Sequence, residues 1–122
     1  MFDGRDPIYR QIADQIRTDV VEGTLMEDEQ VMSTTQYATT FRINPATAAK
    51  AFAELIDEGI LYKKRGLGTF VAPGARDRLL RERRERFFND QLRPVLDEAK
   101  RIGIPLGSVS DYIARALDEE QS

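Results

Sequence analysis

The sequence predicts a mainly α chain with a small β hairpin, and three observations carry that prediction. Cap chemistry marks helix starts at Asp6-Pro7, Ser33 and Asn44-Pro45. Behind each start, apolar residues recur at helical steps. One basic stretch, Tyr62-Lys63-Lys64-Arg65-Gly66-Leu67-Gly68-Thr69-Phe70-Val71, has the glycines and alternation of a hairpin.

The first helix is expected from about Pro7 to Glu22, with Asp6 as N-cap and Pro7 at the first helical position, where its missing N–H costs nothing. Ile8, Ile12, Ile16 and Val20 follow at i, i+4 spacing with Ala13 beside them, and Gly23 supplies the stop. Thr24 to Val31 reads as an acidic connector, in which Leu25 and Val31 are placed to anchor a brief strand. Ser33 and Gln36 have capping-box spacing, so a second helix begins there, turns Tyr37 and Ala38 inward and ends near Phe41. After the turn Phe41-Arg42-Ile43, Asn44 caps a third helix with Pro45 at its first position. Ala48, Ala49, Phe52, Leu55 and Ile56 are its expected buried stripe, and Gly59 its exit. Strands follow at Ile60 to Lys63 and Thr69 to Ala72.

Pro73-Gly74-Ala75 then marks a boundary, giving an expected domain at residues 1–75 and a helical tail at 76–122. Residues 76 to 86 carry six arginines and three acids, with Asp77–Arg81 and Glu82–Arg86 at pairing distance, which suits a solvated helix face. Phe88, Leu92, Val95, Ala99 and Ile102 step by 4, 3, 4, 3, the seam of a helix that packs on another helix. Pro94 is expected to kink or break that helix, because it removes the bond to the Asp90 carbonyl. Gly103 ends it. Ser108 with Asp111 looks like a new start, with Val109, Tyr112, Ile113, Ala116 and Leu117 along one face of a short last helix.

Composition narrows the chemistry. At 122 residues the chain has room for one small core and an appendage, burying roughly 65% of its unfolded surface if compact. It has neither cysteine nor histidine, which removes the best nucleophile, the commonest general base and the commonest metal ligand together. No catalytic cluster, metal site or cofactor site is expected, and no disulfide framework either, in keeping with a reducing cytoplasm. A charged start from Asp3, and no apolar run near the ~20 residues of a spanning helix, predict neither leader nor membrane span.

The net charge of −3 is a poor sign for phosphate binding, so charge distribution decides. Residues 1–75 hold eight Lys/Arg against eleven Asp/Glu, and residues 76–122 hold ten against ten. A nucleic-acid face must therefore be a local patch.

Helix, turn, helix and basic hairpin, in that order, outline a winged helix-turn-helix. In such an element the N-terminal turns of the second helix of the pair face the major groove, where small residues allow close approach. The expected DNA-facing residues are Ser33, Thr34 and Thr35 at the start of the first helix of the pair, Arg42 and Asn44 at the turn, Ala46, Thr47 and Lys50 on the second, and Lys63, Lys64, Arg65 and Gly66 on the wing. The tail seam fits internal packing or a subunit interface. The small core of the tail favours dimerisation, through Phe88, Leu92, Val95, Leu96, Ala99, Ile102, Tyr112, Ile113 and Leu117.

Four of these motifs together resemble the GntR family of bacterial transcription regulators: Pro7-Ile8-Tyr9-Arg10-Gln11-Ile12, Asn44-Pro45-Ala46-Thr47-Ala48-Ala49-Lys50-Ala51-Phe52, Leu55-Ile56-Asp57-Glu58-Gly59 and Gly66-Leu67-Gly68-Thr69-Phe70-Val71. They keep the order and spacing of its N-terminal domain over about residues 5 to 72. The helical tail, with Glu98-Ala99-Lys100-Arg101-Ile102-Gly103-Ile104, is similar to the YtrA subfamily, whose members dimerise through such helices and lack a large effector domain. The resemblance implies a cytoplasmic homodimeric repressor, not an enzyme, on a palindromic operator in double-stranded DNA. It leaves room for an unidentified small-molecule effector between tail and N-terminal domain, and implies no membrane partner. Where the family usually carries Leu-Pro-Ser and then an arginine, this chain has Val31-Met32-Ser33-Thr34-Thr35, so a bidentate guanine contact is absent at Thr35. The acidic balance keeps a second reading open, a protein-interaction adaptor on the same scaffold.

Overall fold

The computed structural model describes Gly4 and residues 6–121. Asp3, which entered the expectation about a leader, lies outside them. Among the described residues no helix is long and apolar enough to cross a membrane. Two compact units divide the chain, Met1–Arg81 and Glu82–Ser122.

In the first unit, helix α1 spans Ile8–Glu22. Its N-cap is Pro7 rather than Asp6, because Pro7 is still extended (φ −53°, ψ 143°) and its carbonyl accepts the first helical bonds, from Arg10 and Gln11. Asp6 instead offers its own carbonyl to the Gln11 amide, at 2.7 Å. Ile12, Ala13, Ile16 and Val20 are buried, whereas Ile8, one turn earlier, lies beyond the reach of the core and is exposed.

Helix α2 spans Thr34–Phe41 behind a complete capping box: the Gln36 N–H donates to Ser33 Oγ at 3.0 Å, and the Ser33 N–H to Gln36 Oε1 at 3.1 Å. Arg42 then takes a left-handed conformation (φ 55°), and the Ile43 N–H returns to the Ala38 carbonyl. Helix α3, Pro45–Asp57, starts at Asn44, whose side chain accepts from the Ala46 N–H at 2.8 Å. Its buried arc is Ala48, Ala51, Phe52 and Leu55, so the stripe differs from the expected one. Ala49 and Ile56 are exposed and Ala51 is buried, because each residue turns the helix by about 100° and the arc facing α1 and α2 centres between positions 48 and 55. Gly59 (φ 77°) closes α3 with paired bonds, Ile60 N–H to Leu55 carbonyl and Gly59 N–H to Ile56 carbonyl.

Strands β1 (Leu61–Lys64) and β2 (Gly68–Val71) pair antiparallel, with Leu61 opposite Val71 and Lys64 opposite Gly68. Each lies about one residue from its expected bounds. The connector joins this sheet: the Asp28 and Val31 N–H groups donate to the Val71 and Thr69 carbonyls, the Val71 N–H donates to the Glu29 carbonyl, and Gln30 bridges Phe70. One cluster from Ile12 to Leu79 forms the core. Arg17 buttresses it from outside, binding Asp14 at 2.6 Å within α1, Glu54 at 3.3 Å on α3, and Glu58 just beyond. Helix α4, Ala75–Arg86, enters this core through Ala75 and Leu79, which carries the first unit past the expected boundary at residue 75.

In the second unit a π segment, Phe87–Leu92, runs into α5, Arg93–Arg101. Pro94 sits in the first turn of α5, and the backbone stays helical on both sides. A wider turn, with the Arg93 N–H on the Phe88 carbonyl, takes up the missing donor, so the expected break is a π bulge instead. After Gly103, whose neighbour Ile104 donates back to the Ala99 carbonyl, α6 runs Leu106–Gln121. It begins at Pro105-Leu106, not at Ser108, because the Pro105 carbonyl already accepts from the Ser108 N–H at 2.9 Å. Helices α5 and α6 are in contact.

Candidate nucleic-acid interface

Two capped helix starts and a hairpin make up the candidate surface of the first unit. Ser33, Thr35 and Gln36 are exposed on the first turn of α2, and Thr34 is half-buried. Asn44, Ala46 and Lys50 are exposed on α3 and Thr47 is half-buried. Arg42, held in its left-handed conformation between the two helices, is exposed. Both helices thus present exposed, side-chain-capped N-terminal ends, where partial positive charge favours phosphate oxygens.

The exposed side of α3 carries Ala46, Ala49 and Ala53 at successive helical steps. Side chains this small let a helix approach base edges closely. Lys50 stands on the same side and is held by a neighbour that sequence reasoning missed: its ammonium lies 4.1 Å from the centroid of the Tyr9 ring, in α1. Nothing in the local sequence signals this contact, since 41 residues separate the two.

The wing divides its cations by strand alternation. Lys63 lines a groove of about 400 Å³ with Ser33, Thr34 and Gln36 of α2, Ala49 of α3 and Gln30 of the connector. Lys64 points to the other face of the sheet, where it lies 5.2 Å from the Phe70 ring and 5.8 Å from Tyr62, two rings stacked at 5.7 Å. The Tyr62 hydroxyl donates to Asp28 Oδ1 at 2.8 Å, and that bond, reinforced by desolvation and the carboxylate charge, holds its phenol above the ordinary value. Arg65, Gly66 and Leu67 form the exposed tip, closed by a bond from the Leu67 N–H to the Lys64 carbonyl. Gln30 donates to the Leu67 carbonyl at 2.9 Å, and its side chain fills the space a Cβ at Gly68 (φ 128°) would need.

The structure therefore brings Ser33, Thr34 and Lys63 around one groove. It places Lys50 with Tyr9, Arg65 and Gly66 at the tip, and Lys64 on the opposite face. Gln30, Ala49 and Ala53 join the surface unannounced by the sequence, apart from the i, i+3, i+7 alanine spacing that follows from Ala46.

Residues 8–71, covering α1 to the end of the wing, match the family of bacterial regulatory proteins named gntR. The chain belongs to the GntR family. It is a DNA-binding transcription regulator and not an enzyme. Among curated relatives, the transcriptional repressor YtrA of Bacillus subtilis is 31% identical over 107 residues, spanning 88% of this chain and 82% of YtrA, so the likeness extends into the tail. Among solved structures, a transcriptional regulator from Oenococcus oeni superposes with a TM-score of 0.83 at 26% identity, over 96% of each chain. The DNA-binding domain of AraR, solved in complex with operator ORR3, aligns at a TM-score of 0.52 and 28% identity, over 59% of this GntR-family chain and 94% of that one.

In the second unit the residues singled out for dimerisation fall into two groups. Leu92 and Leu96 are half-buried and Ala99 is buried. Phe88, Val95, Ile102, Tyr112, Ile113 and Leu117 are exposed.

Proposed function

We propose that this GntR-family chain is a homodimeric repressor that reads an inverted-repeat operator in the cytoplasm. Each protomer inserts the start of α3 into a major groove and lays the wing along the neighbouring backbone or minor groove. One observation carries this reading: the caps of α2 and α3, the small-residue face of α3 and Lys63 open on the same unit, with Lys50 already held in place by Tyr9. Thr47 and Lys50 then read bases, while Lys63 and Arg65 neutralise phosphates in an otherwise acidic domain, and Lys64, on the other face of the wing, is left out of that role. Thr35 offers only a hydroxyl, so base discrimination rests on α3. The uncovered apolar side chains of the tail supply the self-association that a two-fold operator demands. The signal that releases the repressor is an effector still to be identified.

The test is binding to the DNA upstream of the protein's own gene, titrated with salt. A dimer neutralising about six phosphates gives a slope of log K against log salt of roughly −5. Salt-independent affinity, or equal affinity for scrambled DNA, overturns the reading. Light scattering separates it from an adaptor role: the repressor dimerises alone, whereas an adaptor is monomeric until it meets a different protein.

A further inference from the structure

A second concavity of the first unit opens between α1, the connector and α2, sharing Val31 and Phe52 with the walls of the DNA-facing groove. It has a volume of about 350 Å³, within the lower range of small-molecule sites. Ile16, Leu25, Val31, Phe41 and Phe52 make its walls, and Met32, which is exposed, makes its rim. Three polar residues, Gln15, Asp19 and Tyr37, interrupt this apolar lining. Asp19 stands on α1, with one carboxylate oxygen accepting from Gln15 Nε2 at 3.0 Å.

Tyr37, only 7% exposed, brings its phenol to the same lining. Its ring is clamped by Phe41 at 4.5 Å and Phe52 at 5.8 Å. Asp19 and Tyr37 line the same cleft, and burial together with the Asp19 charge raises the phenol above its ordinary value. A carboxylate and a phenol on the wall of an apolar cleft offer acceptor oxygens to a ligand that carries donors.

We propose that this cleft is a ligand site for a small aromatic or branched aliphatic amine, its apolar body between Ile16, Leu25 and Phe41 and its ammonium on Asp19 and the Tyr37 hydroxyl. An ammonium supplies donors to both oxygens. A neutral alcohol meets one of them, and a carboxylic acid is repelled by Asp19. The site lies wholly within the first unit, so it is independent of whether the chain dimerises or binds an operator. Val31 and Met32 lead directly into Ser33, the cap of the DNA-facing helix, so an occupant touches the segment that sets α2.

Tryptamine and its neutral counterpart tryptophol are the probes, titrated into the full-length 15N-labelled protein. Tryptamine is expected to give saturable amide shifts at Ile16, Asp19, Leu25 and Tyr37, and to bind about tenfold more tightly than tryptophol, the effect of one charge-assisted contact. Asp19→Asn removes that preference and leaves tryptophol unchanged. Met32→Arg, a substitution at the exposed rim that spares the core, weakens tryptamine alone, so the test survives if the Asp19 variant folds poorly. Shifts that do not saturate, shifts confined to the tail, or equal affinities for amine and alcohol in the wild-type chain overturn the proposal.

Discussion

Truncating the uncovered face of α6 with Ile113→Ala and Leu117→Ala is the sharpest test of self-association. Ile113 is 57% exposed and Leu117 51% exposed in the isolated protomer, so each has about half its side chain left to bury. Full burial of such a side chain stabilises by about 1.5–3 kcal/mol, so the remaining half is worth about 1 kcal/mol, and the pair about 2 kcal/mol per protomer. A two-fold interface uses the same patch on both copies, so the double variant loses about 4 kcal/mol of dimer affinity, close to a thousandfold in Kd. The protomer itself pays little, since both side chains face solvent there and alanine is the better helix former. Sedimentation equilibrium over a concentration series reads the change directly. An unchanged dimer constant refutes the assignment of this face. So does loss of helicity in the monomer, because that places both side chains in internal packing.

Four other outcomes are expected. Thr47→Ala alters which operator sequences are preferred, whereas Arg65→Ala weakens binding to all sequences alike and lowers the salt slope by about one; competition with operator and random duplexes at several salt concentrations distinguishes them. Tyr9→Leu unseats the Lys50 ammonium and reduces operator affinity about two- to fivefold, with thermal stability as the control for packing damage. Ser33→Ala removes half of the capping box and costs about 1 kcal/mol, or about 4–8 °C in Tm for a domain of this size, with Ser33→Asp restoring the melt but not DNA affinity. Burial first and Asp19 second raise the Tyr37 phenol above its ordinary value, so the folded state holds that proton where the unfolded chain releases it. Stability therefore falls as pH rises above about 10, and denaturant midpoints of Tyr37→Phe across that range fall less steeply.

The local chemistry of the fold was legible from the residues. Ser33 with Gln36 and Asn44 with Pro45 begin helices in any context, because the orphan N–H groups they meet belong to the adjacent turn. Gly59 and Gly103 end helices for the same local reason. What depended on distant partners was not legible. An i, i+4 stripe contains both edges of a buried arc, and only the placement of α1 and α2 decides that Ala51 is inside while Ala49 and Ile56 are outside. Ile8 continues the stripe of α1 past the end of the core. Pro94 predicted a break because an α turn cannot lose its donor, yet a π turn absorbs the loss. The Tyr9–Lys50 contact and the seam between connector and wing join segments far apart in the chain and leave no periodic trace.

That seam has a mechanical meaning. Residues 28–31 are bonded along β2, Gln30 grips the wing tip, and three residues after Gln30 the chain becomes the cap of α2. The wing and the helix pair proposed to meet DNA are therefore jaws of one caliper with a preset gap, rather than a clamp and a separate loose arm. A caliper does not yield to a site of the wrong width; the duplex must yield instead, at an elastic cost that depends on its sequence. Operators should accordingly be discriminated at base pairs that no side chain touches, by how readily they bend to fit the gap.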